Sequence, residues 1–386
     1  MSASALVDRV RERLATAGAE VTPAVVAAAV RAEAGGVVSD VDVLTALRMM
    51  HQEFTGAGPL EPLLRDPDTT DVLVTAPDSV WIDRGSGLER TDVRFADETS
   101  VRRLAQRLAL AAGRRLDDAS PYVDALLPGT GVRLHAVLAP IAADGTCVSL
   151  RTLRPAAHDL ATLRDLGTVD HTGWRLLHAI VDARLAFLIA GGTATGKTTL
   201  LSALIGCVPA HERVVCVEDA EELRPLHPHV VRLVARPPNI EGAGEVTLRD
   251  LVRQALRMRP DRLVIGEVRG AEVCDLLAAL NTGHEGGAGT VHANSTREVP
   301  ARMEALAALG GMSRAALHSQ LAAAVQVVLH VARGSDGSRR LAAVAVLERH
   351  GTEVVARPAW RYGSGWDAGQ AQLGALLRDR GTDPPW

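Results

Sequence analysis

The chain reads Gly191-Gly192-Thr193-Ala194-Thr195-Gly196-Lys197-Thr198, with Thr199 next. This stretch fits Gly-x4-Gly-Lys-[Ser/Thr], the pattern of the phosphate-binding P-loop, in which backbone N–H groups surround the phosphates and the lysine neutralises them. The apolar run Leu185–Ala190 precedes it and Lys197–Ile205 follows. That order predicts a strand, a loop and a helix whose N-terminus faces the phosphates, with the Thr198 hydroxyl placed to bind Mg²⁺.

Lys197 is the only lysine of a chain in which lysine and arginine together number 42. A compact ammonium on a thin stem fits beside phosphate oxygens inside a tight backbone loop, whereas a wide planar guanidinium does not. The position of this one ammonium therefore favours phosphate binding over an accidental surface lysine.

Strand-like and helix-like runs alternate after the loop, with strand candidates at Arg213–Val217, Arg262–Gly266 and Thr290–Val291. Such alternation is typical of a mostly parallel sheet covered by helices. The runs Val325–Val331 and Leu341–Leu347 predict a closing hairpin. The fold class that follows is α/β.

Acidic residues follow two of these strand candidates. Glu218 and Asp219 come after the first, and Glu267 ends the run Leu263-Val264-Ile265-Gly266-Glu267. An open α/β sheet binds its ligand at the C-terminal ends of its strands. One acid there can hold Mg²⁺ through water while another orients or deprotonates an attacking water, as hydrolysis requires. For either acid alone, a surface carboxylate at a strand end is the alternative interpretation.

Two histidines, His284 and His292, flank a glycine-rich stretch that the sequence predicts to be a flexible loop. Such a pair can sense a terminal phosphate, although structural or solvent-facing histidines are the more common alternative. No third ligand at helical spacing accompanies them, which argues against a metal site.

The rest of the chain predicts further segments. Leu6, Val10 and Leu14 recur at helix spacing, and short strand-like runs surround a helical run, Ser100–Ala112. Pro155 and Gly167 occur in a stretch of low apolar density that predicts a linker or hinge. The predicted organisation is a helical segment over 1–50, a mixed α/β N-terminal domain over 51–153, a linker over 154–170, the P-loop domain over 171–349 and a C-terminal tail over 350–386. The predicted strands of the N-terminal domain are Asp71–Thr75, Ser79–Asp83, Val132–Leu138 and Thr146–Leu150.

Composition narrows the class of protein. The net charge of -4 and the absence of a basic, aromatic stripe argue against a nucleic-acid partner. The four cysteines form no Cys-x-x-Cys pair, which argues against a zinc ribbon or a disulfide framework. No apolar run reaches the roughly 18 residues that span a bilayer, and the first ten residues lack the features of a signal peptide, so the cytoplasm is the expected location.

Taken in order, these motifs resemble the secretion-ATPase superfamily that drives type II and type IV secretion and pilus motors. The likeness is greatest to the CpaF/TadA branch associated with Flp (Tad) pili, and it covers roughly Gly58 to Leu347. The stretches that carry it, all in their expected order, are Gly191 to Thr199, Val217-Glu218-Asp219-Ala220-Glu221-Glu222-Leu223, Arg236-Pro237-Pro238-Asn239-Ile240-Glu241-Gly242, Leu248-Arg249-Asp250-Leu251-Val252-Arg253, Pro260-Asp261, Gly266-Glu267-Val268-Arg269-Gly270 and Asn281-Thr282-Gly283-His284.

The resemblance implies roles for individual residues. Glu218 lies in the acidic box as a candidate water-activating base, Glu267 is the Walker B acid and a ligand of Mg²⁺, and His284 and His292 form the histidine box. Arg133 and Arg151 match N-terminal-domain arginines that reach the bound phosphates, where they stabilise charge on the transferring group.

The resemblance also implies a RecA-like domain that hydrolyses ATP with Mg²⁺. It implies a homohexameric ring, in the cytoplasm, whose partners are integral inner-membrane platform proteins. A nucleotide-gated assembly scaffold with weak hydrolysis and, less favoured, a nucleic-acid translocase are the alternatives.

Two departures from the family pattern bear on turnover. Ala194-Thr195 replaces the usual Gly-Ser, and a Cβ at a backbone position with φ > 0 costs roughly 1 kcal/mol. Gly287-Ala288-Gly289 replaces bulkier and hydroxyl-bearing residues in the histidine box. Both departures motivate the scaffold alternative.

Overall fold

The structure is a computed structural model that describes residues 56–386 apart from 86, 154–157, 240, 335 and 336. Before position 56 it describes only residues 9, 10, 13, 28–30, 32 and 33, which are helical. The rest of the helical segment predicted over 1–50 lies outside the described residues. The chain divides into two compact units, Met1–Leu153 and Arg154–Trp386.

The first unit contains a six-stranded antiparallel sheet in the order β3-β2-β1-β6-β5-β4. Its elements are a 3-10 turn Gly58–Leu60, α1 Glu61–Arg65, β1 Asp71–Ala76, β2 Ser79–Asp83, β3 Leu88–Arg90, α2 Glu98–Ala111, β4 Tyr122–Leu127, β5 Val132–Val137 and β6 Cys147–Thr152. The four strands and the helix predicted from the sequence are confirmed. Strands β3 and β4 were not predicted, and both lie at the edges of the sheet.

Period-two burial explains this sheet. Val72 and Val74 of β1 are buried while their neighbours are more exposed, and Leu150 of β6 lies opposite Val72 on the same face. Leu104 and Leu108 of α2 belong to the same core. One face of the sheet is therefore covered by α2.

The second unit contains a nine-stranded sheet in the order β15-β14-β13-β12-β7-β11-β10-β8-β9. Strands β12, β7, β11, β10, β8 and β9 are parallel, and the remaining three are antiparallel. The strands are β7 Phe187–Ala190, β8 Val214–Glu218, β9 Val230–Val234, β10 Arg262–Ile265, β11 Ala288–Val291, β12 Val327–Arg333, β13 Arg339–His350, β14 Glu353–Arg361 and β15 Gly365–Trp366. The helices are α3 Leu160–Asp165, α4 His171–Asp182, α5 Lys197–Gly206, α6 Leu248–Ala255, α7 Glu272–Leu280, α8 Val299–Leu309, α9 Arg314–Ala324 and α10 Gln370–Asp379, with 3-10 turns Leu256–Met258 and Thr296–Glu298.

The central parallel strands are apolar throughout because helices cover both faces of the sheet. Every residue of β7, β8, β10 and β11 is buried. Alternate residues of β7 enter two separate cores, one with Phe187 and Ile189 and the other with Leu188 and Ala190. The mostly parallel α/β sheet and the closing hairpin β12–β13 are thus confirmed.

The stretch 154–170, predicted to be a linker, requires a correction. Residues 154–157 lie outside the described residues, but Leu160–Asp165 forms α3, capped by the Asp159 carboxylate, which accepts the Thr162 N–H. Leu160, Leu163 and Val169 are buried in the core of the second unit. Two leucines three residues apart are too short a pattern to predict a helix from the sequence. Their burial in the core nevertheless stabilises α3.

The prediction of a C-terminal tail over 350–386 is also wrong. Strand β14 pairs with β13 over most of its length, and Trp360 is only 2% exposed. Leu373 and Leu377 of α10 are fully buried in the same core. The segment extends the sheet and covers it. Within the part of the chain that the structure describes, no helix is both long and apolar enough to cross a membrane.

Candidate functional site

The glycine-rich loop joins β7 to α5 at the C-terminal edge of the parallel strands. At Gly191 an added Cβ would lie 2.6 Å from the Thr195 hydroxyl and 2.6 Å from the Val331 carbonyl oxygen, so no larger residue fits. Gly196, with φ 97°, occupies the left-handed region just before α5 begins. The backbone therefore forms the tight turn that the sequence pattern predicts.

Lys197 points back into this loop. Its ammonium donates to the carbonyl oxygens of Gly191, at 3.0 Å, and Gly192, at 2.7 Å, and lies 3.5 Å from Nε2 of His292. Burial lowers the pKa of Lys197, while the nearby carboxylates of Glu267 and Glu222 counteract this effect. The single lysine thus lies among backbone groups, ready to exchange carbonyl partners for phosphate oxygens.

Ala194 has φ 58°, so a residue with a Cβ does occupy the left-handed region of backbone conformation in this loop. Thr193 and Ala194 are exposed, and the Thr195 hydroxyl donates to the Gly192 carbonyl at 3.0 Å. The Cβ of Ala194 makes this conformation costly relative to glycine.

Glu267 follows β10 and is held by two cationic or ionisable groups. Its Oε1 lies 2.8 Å from Nε2 of His292, and its Oε2 accepts a hydrogen bond from the guanidinium of Arg269. Burial favours the neutral carboxyl, but the Arg269 hydrogen bond and the positive charges of Arg269 and Lys197 outweigh it, so the pKa of Glu267 is lowered. Glu267 is therefore a carboxylate at neutral pH.

Glu218 ends β8 and is only 3% exposed. Its Oε1 accepts the N–H groups of Glu222, at 3.2 Å, and Leu223, at 2.9 Å, while Oε2 has no hydrogen-bond partner among the described residues. Burial raises the pKa of Glu218 to about 7. A carboxyl in this state can take up or release a proton near neutral pH, as a general base must.

Thr198 and Glu222 form a pair that was not predicted from the sequence. The Thr198 hydroxyl lies 3.3 Å from Oε2 of Glu222. The described residues contain no cluster of three or more His, Cys, Asp or Glu suited to a metal. Mg²⁺, however, is usually bound by one or two carboxylates together with phosphates, so Thr198, Glu222 and Glu267 suit it. The sequence feature that could have indicated Glu222 as a site residue is its position four residues after Glu218.

The structure separates the two predicted histidines. His292 follows β11 and contacts Glu267 and Lys197, whereas His284 precedes β11, with Nδ1 3.2 Å from the Ala279 carbonyl oxygen at the end of α7. Since β11 is parallel to β7, His284 lies toward the opposite edge of the sheet from the loop. Only His292 is placed to act on the loop's ligand.

The glycine-rich stretch between the histidines is not a flexible loop, which corrects the sequence-based prediction. Residues Ala288–Val291 form the buried strand β11. A Cβ at Gly287 would lie 2.7 Å from the Leu263 carbonyl oxygen, and one at Gly289 would lie 3.3 Å from that of Ile265. These residues are small because the segment packs closely against the backbone of β10.

Arg133 and Arg151 lie in the first unit, directly opposite each other on β5 and β6. Their guanidinium groups pair with Asp124, at 2.6 Å, and with Asp71, at 2.9 Å. A role for either arginine at the phosphates stays a prediction.

A cavity of about 510 Å³ opens beside the loop. It is lined by Gly191 and Gly192, by residues 292–294 after β11, and by one face of α8 that carries Arg302. No sequence pattern distinguishes Arg302 among so many arginines, and Arg302 was therefore not predicted.

Together, the parallel sheet, the glycine loop between β7 and α5 and the acids at the same edge define the second unit as a RecA-like P-loop domain. A sequence model of the family described as "Type II/IV secretion system protein" matches residues 53–358. The chain belongs to that family.

Individual relatives agree with this assignment. A putative conjugal transfer protein of Mycobacterium tuberculosis is 65% identical over 350 residues, covering 89% of this chain and 99% of that protein. The type IV secretion system protein PtlH of Bordetella pertussis is 32% identical over 311 residues, covering 73% of this chain and 91% of PtlH.

Among solved structures, the ATPase DotB of Yersinia pseudotuberculosis has a TM-score of 0.53 at 18% identity, covering 76% of this chain and 78% of that chain. DotB of Legionella pneumophila has a TM-score of 0.51 at 19% identity, covering 80% and 81%. At these identities the likeness supports the fold alone.

Proposed function

We propose that this chain is an ATP-hydrolysing motor of a type II/IV secretion or Tad-type pilus assembly system, in the CpaF/TadA branch of its family. The observation that carries the proposal is the position of the Lys197 ammonium. It lies inside the glycine loop, 3.5 Å from a histidine that itself contacts Glu267. A phosphate-binding cation, a carboxylate and a proton-exchanging carboxyl at one sheet edge are what phosphoanhydride hydrolysis requires.

Each group has a distinct task in this mechanism. The N–H groups of residues 191–199 and Lys197 bind and orient the phosphates of ATP. Thr198 and Glu267, with Glu222, hold Mg²⁺, which when bound neutralises charge on the phosphate oxygens. Glu218, whose pKa is about 7, accepts the proton of the attacking water. His292 orients the Glu267 carboxylate.

The decisive experiment separates binding from hydrolysis. We expect Lys197→Ala to weaken ATP binding at least tenfold, because a charge-assisted contact to phosphate is lost. We expect Glu267→Gln to keep ATP binding within about threefold while steady-state phosphate release falls about a hundredfold or more. Asp379→Asn, at an exposed residue of α10, is the matched control and should change neither. Unaltered binding and hydrolysis in Lys197→Ala would refute the proposal.

A nucleotide-gated assembly scaffold with weak hydrolysis is the second candidate, and the strained φ of Ala194 favours it. The two functions differ in turnover. Phosphate release that stays below one event per minute, with and without the membrane partner, would support the scaffold. A nucleic-acid translocase would instead show turnover that DNA stimulates.

The proposed motor is a cytoplasmic homohexamer that acts on integral inner-membrane platform proteins. The relatives named for type IV secretion and conjugal transfer support such partners. Light scattering of the purified chain with and without ATP tests the oligomer, and a mass of six chains in ATP is the expected result. Co-purification with an integral inner-membrane platform protein of a secretion or pilus system tests the partner.

A further inference from the structure

The cavity beside the loop has a defined position relative to the phosphates. In a P-loop the last residues and the helix N-terminus hold the inner phosphates, and the lysine reaches toward the terminal one. The cavity is lined by the first loop residues, Gly191 and Gly192, and by His292, whose Nε2 lies 3.5 Å from the Lys197 ammonium. The cavity therefore lies next to the Lys197 ammonium, where the geometry of a P-loop places the terminal phosphate of a triphosphate.

One face of α8 forms the far wall of this cavity. Ala301, Arg302 and Ala305 of α8 line it at helical spacing, together with Glu298, the residue before the helix. Arg302 is exposed, and its guanidinium makes no hydrogen bond or ion pair with the described residues. Its neighbour Glu298 is engaged elsewhere, since Oε2 accepts the Asn294 N–H at 3.0 Å.

Arg302 differs in its contacts from Arg269, which also lies near Lys197 and Glu267. The guanidinium of Arg269 is held by Glu267 and by Asp219, the latter at 3.4 Å. Burial and the positive charges of Lys197, Arg269 and Arg302 lower the pKa of His292, while the Glu267 carboxylate acts in the opposite direction. Among the described residues, Lys197 and Arg269 have hydrogen-bond or ion-pair partners, whereas Arg302 has none and lines the cavity.

We propose that Arg302 contacts the terminal phosphate of a nucleoside triphosphate bound in this loop, and so lets a single chain distinguish triphosphate from diphosphate. The proposal rests on the nucleotide binding proposed above. A guanidinium suits the task because its planar donors can bind two phosphate oxygens at once. The two small residues beside it, Ala301 and Ala305, leave room for the phosphate and its water.

Nucleotide titrations of the full-length chain test this assignment. The probes are Mg²⁺-ADP and Mg²⁺ with the non-hydrolysable triphosphate AMP-PNP. We expect Arg302→Gln to weaken AMP-PNP binding about tenfold to a hundredfold, as the loss of a charge-assisted contact predicts, and to change ADP binding less than twofold. Arg302→Lys should fall between the wild type and the glutamine variant.

Arg378→Gln is the matched control. Arg378 is an exposed arginine on α10, two residues before Arg380, which contacts Glu285 near the edge of the sheet opposite the loop. It should leave both affinities unchanged. Circular dichroism melting of each variant separates a local effect from misfolding, and Arg302→Lys remains informative if the glutamine variant is unstable.

The outcomes separate this inference from the proposed function. Equal losses for ADP and AMP-PNP in Arg302→Gln, or no loss for either, would overturn the role of Arg302 and leave nucleotide binding intact. A wild-type chain that binds neither nucleotide would overturn both.

Discussion

Ala194 occupies a backbone conformation that its own side chain disfavours. Its φ of 58° is a conformation that a Cβ disfavours by about 1–2 kcal/mol. The loop tolerates this strain because Thr195 and Lys197 bond its backbone carbonyls. The residue is thus a candidate for tuning turnover rather than for preventing binding.

Ala194→Gly should raise the free energy of unfolding of the nucleotide-free protein by about 0.5–1 kcal/mol, because relief of strain exceeds the added chain entropy. Chemical denaturation measures the change. Ala375→Gly, at an exposed position of helix α10, should have the opposite sign and lower stability by about 0.5–1 kcal/mol. A loss of stability in both variants would contradict the strain.

Glu218 makes the stability of the folded chain depend on pH. Its pKa is about 7 in the folded chain against an ordinary 4.5, because burial disfavours the charged form. The unfolded chain therefore releases this proton at lower pH than the folded chain does. Stability from this residue is fully present below about 4.5 and is lost as the pH rises through 7.

Wild type should accordingly lose about 2 kcal/mol of stability relative to Glu218→Gln between about pH 5 and pH 8. Denaturation of both proteins across this range measures the difference. Parallel pH profiles for the two proteins would show that Glu218 is not held neutral.

At the scale of elements, β11 shows why glycines lie at the centre of the sheet. The strand lies between β7 and β10, and its residues are fully buried. At Gly287, the residue before β11, a Cβ would come within 2.4 Å of Leu280 Cδ2 and 2.7 Å of the Leu263 carbonyl oxygen. The second contact is with backbone and cannot relax by a rotamer change.

Gly287→Ala should destabilise the protein by about 1–3 kcal/mol through overpacking. Gly206→Ala is the control, since the nearest atom to its Cβ would be 3.6 Å away at the end of α5. It should be neutral or slightly stabilising. Thermal melting of both variants tests the pair, and equal melting temperatures would argue against the close approach of β11 and β10.

At the scale of the whole molecule, the last residues of the chain complete the core of the second unit. Trp360, on β14, belongs to the same core as Ile189 of β7 and Leu200 of α5. The strand next to the loop and the segment after residue 350 therefore share one core. Loss of the C-terminal segment would weaken the site without touching it.

Trp360→Ala should cost about 3–5 kcal/mol, the usual range for removing a large buried aromatic side chain. Leu309→Ala, at a residue that is 70% exposed, should stay within about 0.5 kcal/mol of wild type. Chemical denaturation distinguishes the two. A small effect at Trp360 would mean that the segment is indeed a tail.

Much of the fold could be predicted from the sequence because its signals are local. The loop, the strands around it and the hairpin β12–β13 are each encoded by a few consecutive residues whose pattern indicates one conformation. Strand β9 was missed, since Val230–Val234 lies at the edge of the sheet and is not fully buried. Helix α3 was missed because its stability comes from distant core residues.

The sequence by itself determined that a lysine sits in a glycine loop and that acids follow neighbouring strands, because the geometry of the peptide backbone makes those patterns specific. Only the tertiary structure decided which histidine meets the lysine, since Lys197 and His292 are 95 residues apart. It also decided the protonation of Glu218 and the unpaired state of Arg302. Burial and charge at a site depend on neighbours that folding brings together.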